Sequence, residues 1–359
     1  MTLENLAKEN LNFYAPRFDV EIEGKKLGVN ISKEIINIKV NEKLDEGANF
    51  ELTLHDEFDM NTQTFRWIDD TRFYVGNKIT IKIGYGSTLH TMVNGKITSL
   101  QPSFFASETP TLTIGGQDPS YDFMKRATPE KTFVDKTYSD IARMIAQEAG
   151  LECEVDDTRE FEKFIRKDNK ETYYAFLNNI KDRIGFNFDI KEQKMYFVKP
   201  KDKNKEIFTL ELGKDIISFN PIMKTTGLLA EVEVRGHNLQ DPNASFIGKA
   251  KAEGELLALL TKVFSNSIQK KVITDIVVNS KEHADEIAKA ELNKASYTFI
   301  EGTVVCIGLP QIRTGVNVIL NKMGARFNGK YYVKETTHTI DDSGYRTQFS
   351  VISKTVKRL

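Results

Sequence analysis

From Phe18 to Ile114 apolar residues recur at every second position in short runs. Phe18, Val20 and Ile22 alternate with Asp19, Glu21 and Glu23. Ile36, Ile38 and Val40 repeat the pattern, as do Phe50, Leu52 and Leu54, and then Ile79, Ile81 and Ile83. A period of two marks a strand with one buried face. Asn94-Gly95, set between Met92-Val93 and Ile97, has the composition of a type I′ turn and predicts a hairpin there. Leu112 and Ile114 end the run at Gly115-Gly116. Short strands at this spacing predict an antiparallel barrel or sandwich.

Near residue 137 the period changes. Tyr138, Ile141, Met144, Ile145 and Ala149 share one helical face, and Gly150 suits the C-terminus. Tyr173, Phe176, Leu177, Ile180 and Ile184 define a second helix, closed by Gly185. Phe186, Phe188 and Ile190 alternate again, the chain turns at Lys191-Glu192-Gln193-Lys194, and Met195 and Phe197 return it. The run from Lys199 to Lys205 reads as a charged linker. Strand patterns resume at Ile207–Leu212 and at Val232 and Val234, broken by Asp241-Pro242-Asn243. Helices are predicted over 250–262 and from an N-cap at Ser280, with Ala284, Ile287, Ala288 and Leu292 inward. The last residues are β: Tyr331-Tyr332-Val333 leads to a turn at Asp341-Asp342-Ser343-Gly344, and Tyr345, Phe349 and Val351 return on one face. The order predicts an α+β, mainly β chain with two β units, each bearing a smaller attachment.

Composition narrows the function. The chain has 359 residues, with 50 Lys+Arg against 51 Asp+Glu, a formal net charge of -1. At about 150 residues per domain this length suggests two or three domains. Balanced charge argues against nucleic acid as the main ligand. Cys153 and Cys306 are too far apart in sequence for a CxxC motif. Met1–Glu9 has no basic segment followed by an apolar one, so no cleavable signal is expected, and no run is long and apolar enough for a membrane span.

Candidate chemistry is sparse. His55, His90, His237, His283 and His338 form no HExxH or other close ligand spacing. His283 reads as a solvated helix residue and His338 as a strand residue. Gly84-Tyr85-Gly86 begins a GxG, but Leu89 stands where a dinucleotide loop needs its third glycine. Asp241–Ser245 lacks the glycine and distal glutamate of a calcium loop. Asp56-Glu57-Phe58-Asp59 and Asp69-Asp70 suit a hydrolase acid/base pair or, more simply, a solvated loop. Phe104-Phe105 and Tyr331-Tyr332 suit stacking of sugars or bases, or strands that turn one ring inward and one outward. No catalytic, metal or cofactor-binding residue is assigned, no cofactor is expected, and the chain does not read as an enzyme.

The residues do support a resemblance. Gly302–Gly315 (GTVVCIGLPQIRTG), Phe327–Val333 (FNGKYYV), Thr337-His338 and Gly344–Thr347 (GYRT) resemble the phage late control D family, baseplate hubs of contractile tails related to the hub portion of type VI secretion spikes. Ala15–Phe18, Gly84–Gly86, Asn94–Ile97, Gly116–Asp118, Tyr138–Ala142, Glu231–Gly236 and Ala284–Ala288 are similar to family segments in the same order. The resemblance implies two β-barrel tube domains and two smaller attachments. Their expected bounds are 1–125 for the first barrel, 126–206 for a small α+β domain, 207–240 with 298–359 for the second barrel, and 241–297 for an inserted helical segment, with Glu231–Gly236 as a return strand of the second barrel. Glycines near 308–315 and 324–329 would serve tight turns at the rim. It further implies a homotrimer joining a hexameric inner tube, or its initiator, to a separate trimeric spike, with baseplate wedge proteins around it. Such a protein is assembled in the bacterial cytoplasm into a phage tail or related particle. The alternatives are a tail-associated cell-wall hydrolase and a glycan- or receptor-binding module.

Overall fold

The structure, a computed structural model, describes residues 15–44, 46–158, 161–191, 193–199, 206–237, 245–264, 269–278 and 280–354. The expected signal-free N-terminus, most of the 199–205 linker and Asp241-Pro242-Asn243 lie outside these residues. The chain is mainly β, as its alternation predicts.

The first strands are β1 (Pro16–Ile22), β2 (Lys25–Lys26), β3 (Ile35–Lys43), β4 (Asn49–His55), β5 (Phe58–Asp59), β6 (Thr64–Phe65), β7 (Lys78–Tyr85), β8 (Thr88–Ser103) and β9 (Thr111–Gln117). All but β5 and β6 join one antiparallel sheet in the order β3-β4-β9-β8-β7-β1-β2. The alternating residues Ile38, Val40, Leu52, Leu54, Ile81, Ile83 and Ile114 are buried together as its core. Each such side chain contributes roughly 1.5–3 kcal/mol.

One predicted turn is corrected. Asn94-Gly95 lies inside β8, and the hairpin instead turns between Tyr85 and Thr88. A Cβ on Gly95 would stand 2.9 Å from a ring carbon of Phe50. Glycine here makes room for an aromatic ring; no positive φ is required. Gly116 likewise does not end the strand: β9 continues to Gln117, and Gly116 lies under the same ring.

A second core follows in the chain. Its strands β10 (Lys131–Thr137), β11 (Glu152–Val155), β12 (Phe161–Lys167), β13 (Asn187–Lys191) and β14 (Lys194–Val198) surround helices α1 (Tyr138–Glu148) and α2 (Tyr173–Ile184). Thr137 and Asp140 form a capping box on α1, and Gly185 ends α2 with φ 67°. Lys167 is fully buried here, and its ammonium donates to the carbonyls of Thr128, Asp168 and Glu171 at 3.1, 2.9 and 2.8 Å. Lys167→Met strands three acceptors and is expected to cost about 1–3 kcal/mol. A urea midpoint equal to that of the parent would show that those carbonyls do not depend on the ammonium.

β15 (Glu206–Glu211) and β16 (Ile216–Met223) open the next core. β17 (Glu231–His237), β18 (Ser245–Lys251) and β19 (Lys270–Val277) form a separate sheet in the order β18-β17-β19. This corrects the expected return strand at 231–236 and the all-helical reading of 241–297. The physical cause is α4 (Lys281–Ser296), which packs on Val232 and Val234 and crosses β18 so closely that a Cβ on Gly248 would lie 2.1 Å from the Ala284 backbone. The intervening helix α3 (Gly254–Phe264) packs toward the neighbouring core through Leu256, Leu259 and Leu260. Ser280 caps α4 as predicted.

β20 (Ile300–Ile307), β21 (Asn317–Asn321), β22 (Gly329–Asp341) and β23 (Gly344–Ser353) complete the chain. They run β16-β20-β23-β22-β21-β15, and the Leu212–Ile216 bridge brings the two ends of this row together. β22 also pairs with β3, so both sheets are one hydrogen-bonded surface. Gly329–Tyr332 of β22 faces β21, and Glu335–Ile340 faces β3. The change of partner coincides with a bulge between Val333 and Glu335, which bends the strand from one row to the other.

Candidate functional site at the joint between two sheets

The hairpin β22–β23 serves two cores. Ile340 and Tyr345 pack with the first sheet, whereas Val333, Phe349 and Val351 pack with the second. The motifs singled out in the sequence, GLPQIRTG, TH and GYRT, meet where these cores adjoin.

Gly308, just past β20, donates its N–H to the Tyr345 carbonyl at 2.9 Å, and its own carbonyl accepts from the Tyr85 hydroxyl at 2.7 Å. A Cβ at this position would stand 2.0 Å from the Tyr345 ring. Close approach therefore demands this glycine. Gly315 serves the predicted turn, with φ 81°, and donates its N–H to Val333 at 2.9 Å.

Arg313 lies between these glycines and reaches into the first sheet. Its Nε and Nη2 donate to both oxygens of Glu42 on β3, at 2.9 and 3.2 Å. Nη1 and Nη2 donate to the carbonyls of Thr91 and Met92 on β8, each at 3.0 Å. Met92 is the residue left over where β7 and β8 change register, which frees these carbonyls for the guanidinium. The Glu42 side chain is 8% exposed. Burial pushes its carboxyl up, but the charge and hydrogen bonds of Arg313 outweigh this and hold it below the usual range. Lys191 of β13 donates to the carbonyl and hydroxyl of Thr314, both at 3.1 Å, so the second core is tied to the same loop.

His338 on β22 lies beneath the loop, 1% exposed. Its Nε2 stands 3.0 Å from the Ile312 carbonyl, which can only accept, so Nε2 holds the proton. Nδ1 then accepts from the Tyr345 hydroxyl at 2.8 Å. Burial, with Arg313 nearby, pushes the imidazole down to about 3. Cys306 is buried on β20, across β23 from His338, and burial with Asp215 close by pushes its thiol far up. A histidine with both nitrogens engaged and a thiol kept protonated do not form a nucleophile–base pair at neutral pH. The joint binds chain segments to one another. A cleft of about 240 Å³ opens beside Glu42, Arg313 and Lys191.

His90, next to Thr91, also stands at the joint, its Nε2 3.3 Å from the side-chain amide of Gln311, whereas further sequence candidates lie elsewhere. Asp56 is not a solvated loop residue: it is 3% exposed and accepts the N–H groups of Glu57, Trp67 and Ile68. Phe104 and Phe105 are both exposed, at 56% and 61%, where one inward ring was expected; Tyr331 is buried. His283 is not solvated, for both ring nitrogens are buried with no partner among the described residues. Cys153 and Cys306 are free. Among the described residues no cluster of His, Cys, Asp and Glu could hold a metal, and no helix is long and apolar enough to cross a membrane. Sequence reading missed the Glu42–Arg313 pair. The sole signal was an arginine inside a glycine-bounded apolar loop.

The family model described as Alg8 N-terminal domain matches residues 14–342, a span that includes both large cores and the joint. The chain belongs to this family. No curated protein sequence matches it at a significant level. Among solved structures, the 43 kDa tail protein of prophage MuSo2 from Shewanella oneidensis superposes with a TM-score of 0.69 at 15% identity, covering 95% of this chain and 99% of that one. A tail protein from Neisseria meningitidis MC58 gives 0.70 at 12% identity, with 96% and 98% covered. An Escherichia coli component of the type VI secretion system, described as similar to T4 bacteriophage tail proteins, gives 0.58 at 10% identity, with 95% and 79% covered. The fold is that of phage tail proteins, in agreement with the resemblance carried by the motifs.

Proposed function

We propose that the chain is the structural hub of a contractile phage tail or phage-tail-like injection particle. In this reading it is a trimeric adaptor between a hexameric inner tube and a separate trimeric spike. The observation that carries the proposal is correspondence over nearly the whole length of two tail proteins, with 95% and 96% of this chain matched. The joint supports it. Two β units fixed at one angle by Arg313, Gly308 and the shared hairpin suit a ring in which three chains present six units. A mechanical part of this kind needs rigidity, and the buried hydrogen bonds of Arg313, Glu42 and His338 supply it.

The wider reading is a homotrimer that contacts a spike, an inner-tube or tube-initiator protein and wedge proteins, assembles in the bacterial cytoplasm and performs no catalysis. The first barrel keeps its bounds of 1–125 and the α+β domain 126–206. The second barrel is redrawn as 207–228 with 298–354, and 229–297 becomes a small sheet with helices. With its cognate spike present, the purified chain is expected to show the mass of three copies by multi-angle light scattering. A strictly monomeric chain in that mixture overturns the proposal.

A further inference from the structure

The sheet β18-β17-β19 has α4 on one face, and the described residues leave the other face uncovered. Ile247 and Val272 on that face are 47% and 44% exposed. The register sets Glu231 opposite Lys251, Glu233 opposite Lys249, and Arg235 opposite Ile247, with Lys270 beside Glu231 on the other flank. Lys270 bonds Glu233 at 2.5 Å and Glu231 at 3.1 Å, and Arg235 donates to Glu233 at 2.6 Å. The Glu233 side chain is 4% exposed, and hydrogen bonds from Lys270 and Arg235 hold its carboxyl down at about 2. Two fixed carboxylates thus sit among four cations, and the face is basic with apolar residues within it.

A surface of opposite character stands at the edge of the first core. Phe65 packs between Phe58 and Phe104 at centroid distances of 4.9 and 5.1 Å. Phe104, Phe105 and Met60 are 56%, 61% and 74% exposed. Glu57, Asp59, Asp69 and Glu108 are exposed in the same two loops, against two exposed bases, Arg66 and Arg72, of which Arg72 is paired with Asp70. Asp59 accepts from the Asn61 N–H and Asp69 from the Phe65 N–H, so the knob is held in shape before any partner arrives.

We propose that these surfaces form one interface between copies, with the acidic aromatic knob of one chain docked on the basic open sheet of the next. Their charges are complementary, and each has apolar area that a soluble monomer leaves wet. The exposed phenylalanines have the character of anchor residues. Two different patches meeting head to tail give a heterologous contact, which closes into a ring when the rotation between copies allows. A nucleic-acid partner suits the face less well, because two carboxylates are built into it and no aromatic ring is interleaved. The inference rests on the trimeric hub reading above.

The test uses the full chain with its cognate spike and two charge-reversed variants. Ile247→Glu with Lys251→Glu alters the sheet face, where the new Glu at 247 would face Arg235. Glu57→Lys with Glu108→Lys alters the knob at exposed positions. Each is expected to weaken trimer formation at least tenfold by light scattering, with the monomer still melting cooperatively, although Lys251→Glu lowers its midpoint slightly by facing Glu231. The chain carrying all four changes is expected to recover most of the loss. Unchanged assembly in both reversed variants overturns the contact and leaves the hub reading standing. Loss without recovery in the combined chain also overturns it, because the two surfaces then meet different partners. A parent chain that stays monomeric refutes the hub reading, and this contact with it.

Discussion

Gly308→Ala is expected to destabilise the protein by about 3–5 kcal/mol, an unusually large effect for adding one methyl group. The new Cβ would lie 2.0 Å from Cδ1 and 2.1 Å from Cγ of Tyr345. The ring cannot swing aside cheaply. Its hydroxyl is bonded to His338, its carbonyl accepts from Gly308, and Tyr85 packs 5.9 Å from its centroid. The strand must move instead, and that strand belongs to both cores. Overpacking costs roughly 1–3 kcal/mol, and each hydrogen bond lost with it about 1 kcal/mol. Urea denaturation measures the sum. A loss under about 0.5 kcal/mol, the range of an unremarkable surface change, would mean that the joint is looser than described.

The second large effect is expected at Arg313. Arg313→Met leaves Glu42 in a buried site without its partner, and removes the donors to Thr91 and Met92. Breaking a buried pair in this way costs about 3–5 kcal/mol. The sign with pH follows from the direction of the shift. In the parent, Glu42 is held below its unfolded value, so its contribution is present above the ordinary carboxylate range and fades as pH falls through the folded value. In the variant, only Lys191 and the Thr314 N–H remain to oppose burial, so the carboxyl rises relative to the parent and the folded state holds its proton more readily. The gap between parent and variant is therefore expected to be widest near pH 7 and to narrow below about pH 4. A gap that stays constant across that range would show that Glu42 is not the group responsible. Glu42→Gln in the Arg313→Met background should remove the pH dependence while leaving part of the cost, because the two carbonyls on β8 still lack a donor.

The particular elements show what could be read from sequence. Strands such as Ile79–Ile83 and helices such as Tyr173–Ile184 declare themselves through local period and caps, because burial of one face is a local pattern. Strand partners are not local. Val232 and Val234 alternate with glutamates and would suit either sheet; the choice is made by a helix that begins at Lys281, and by the missing side chain of Gly248. Asn94-Gly95 misleads because one residue serves two purposes, a positive φ in a turn and a gap for a ring in a strand. At the joint, the loop motif was visible but its partner was not. Glu42 lies 271 positions before Arg313, and nothing around Glu42 in the sequence distinguishes it from the other acidic residues of an alternating strand.

The two-partner strand also sets a time order for folding. β3 pairs with residues 335–340, so the first sheet keeps an open edge until the ribosome has delivered a segment nearly 300 positions downstream (Thr337 bonds Asn41 at a separation of 296). Contacts this distant close slowly, and a waiting strand edge recruits other chains. The N-terminal half is thus made early and finished late. The chain spends its synthesis in its most aggregation-prone form, and the β22–β23 hairpin acts as the clasp that ends that exposure.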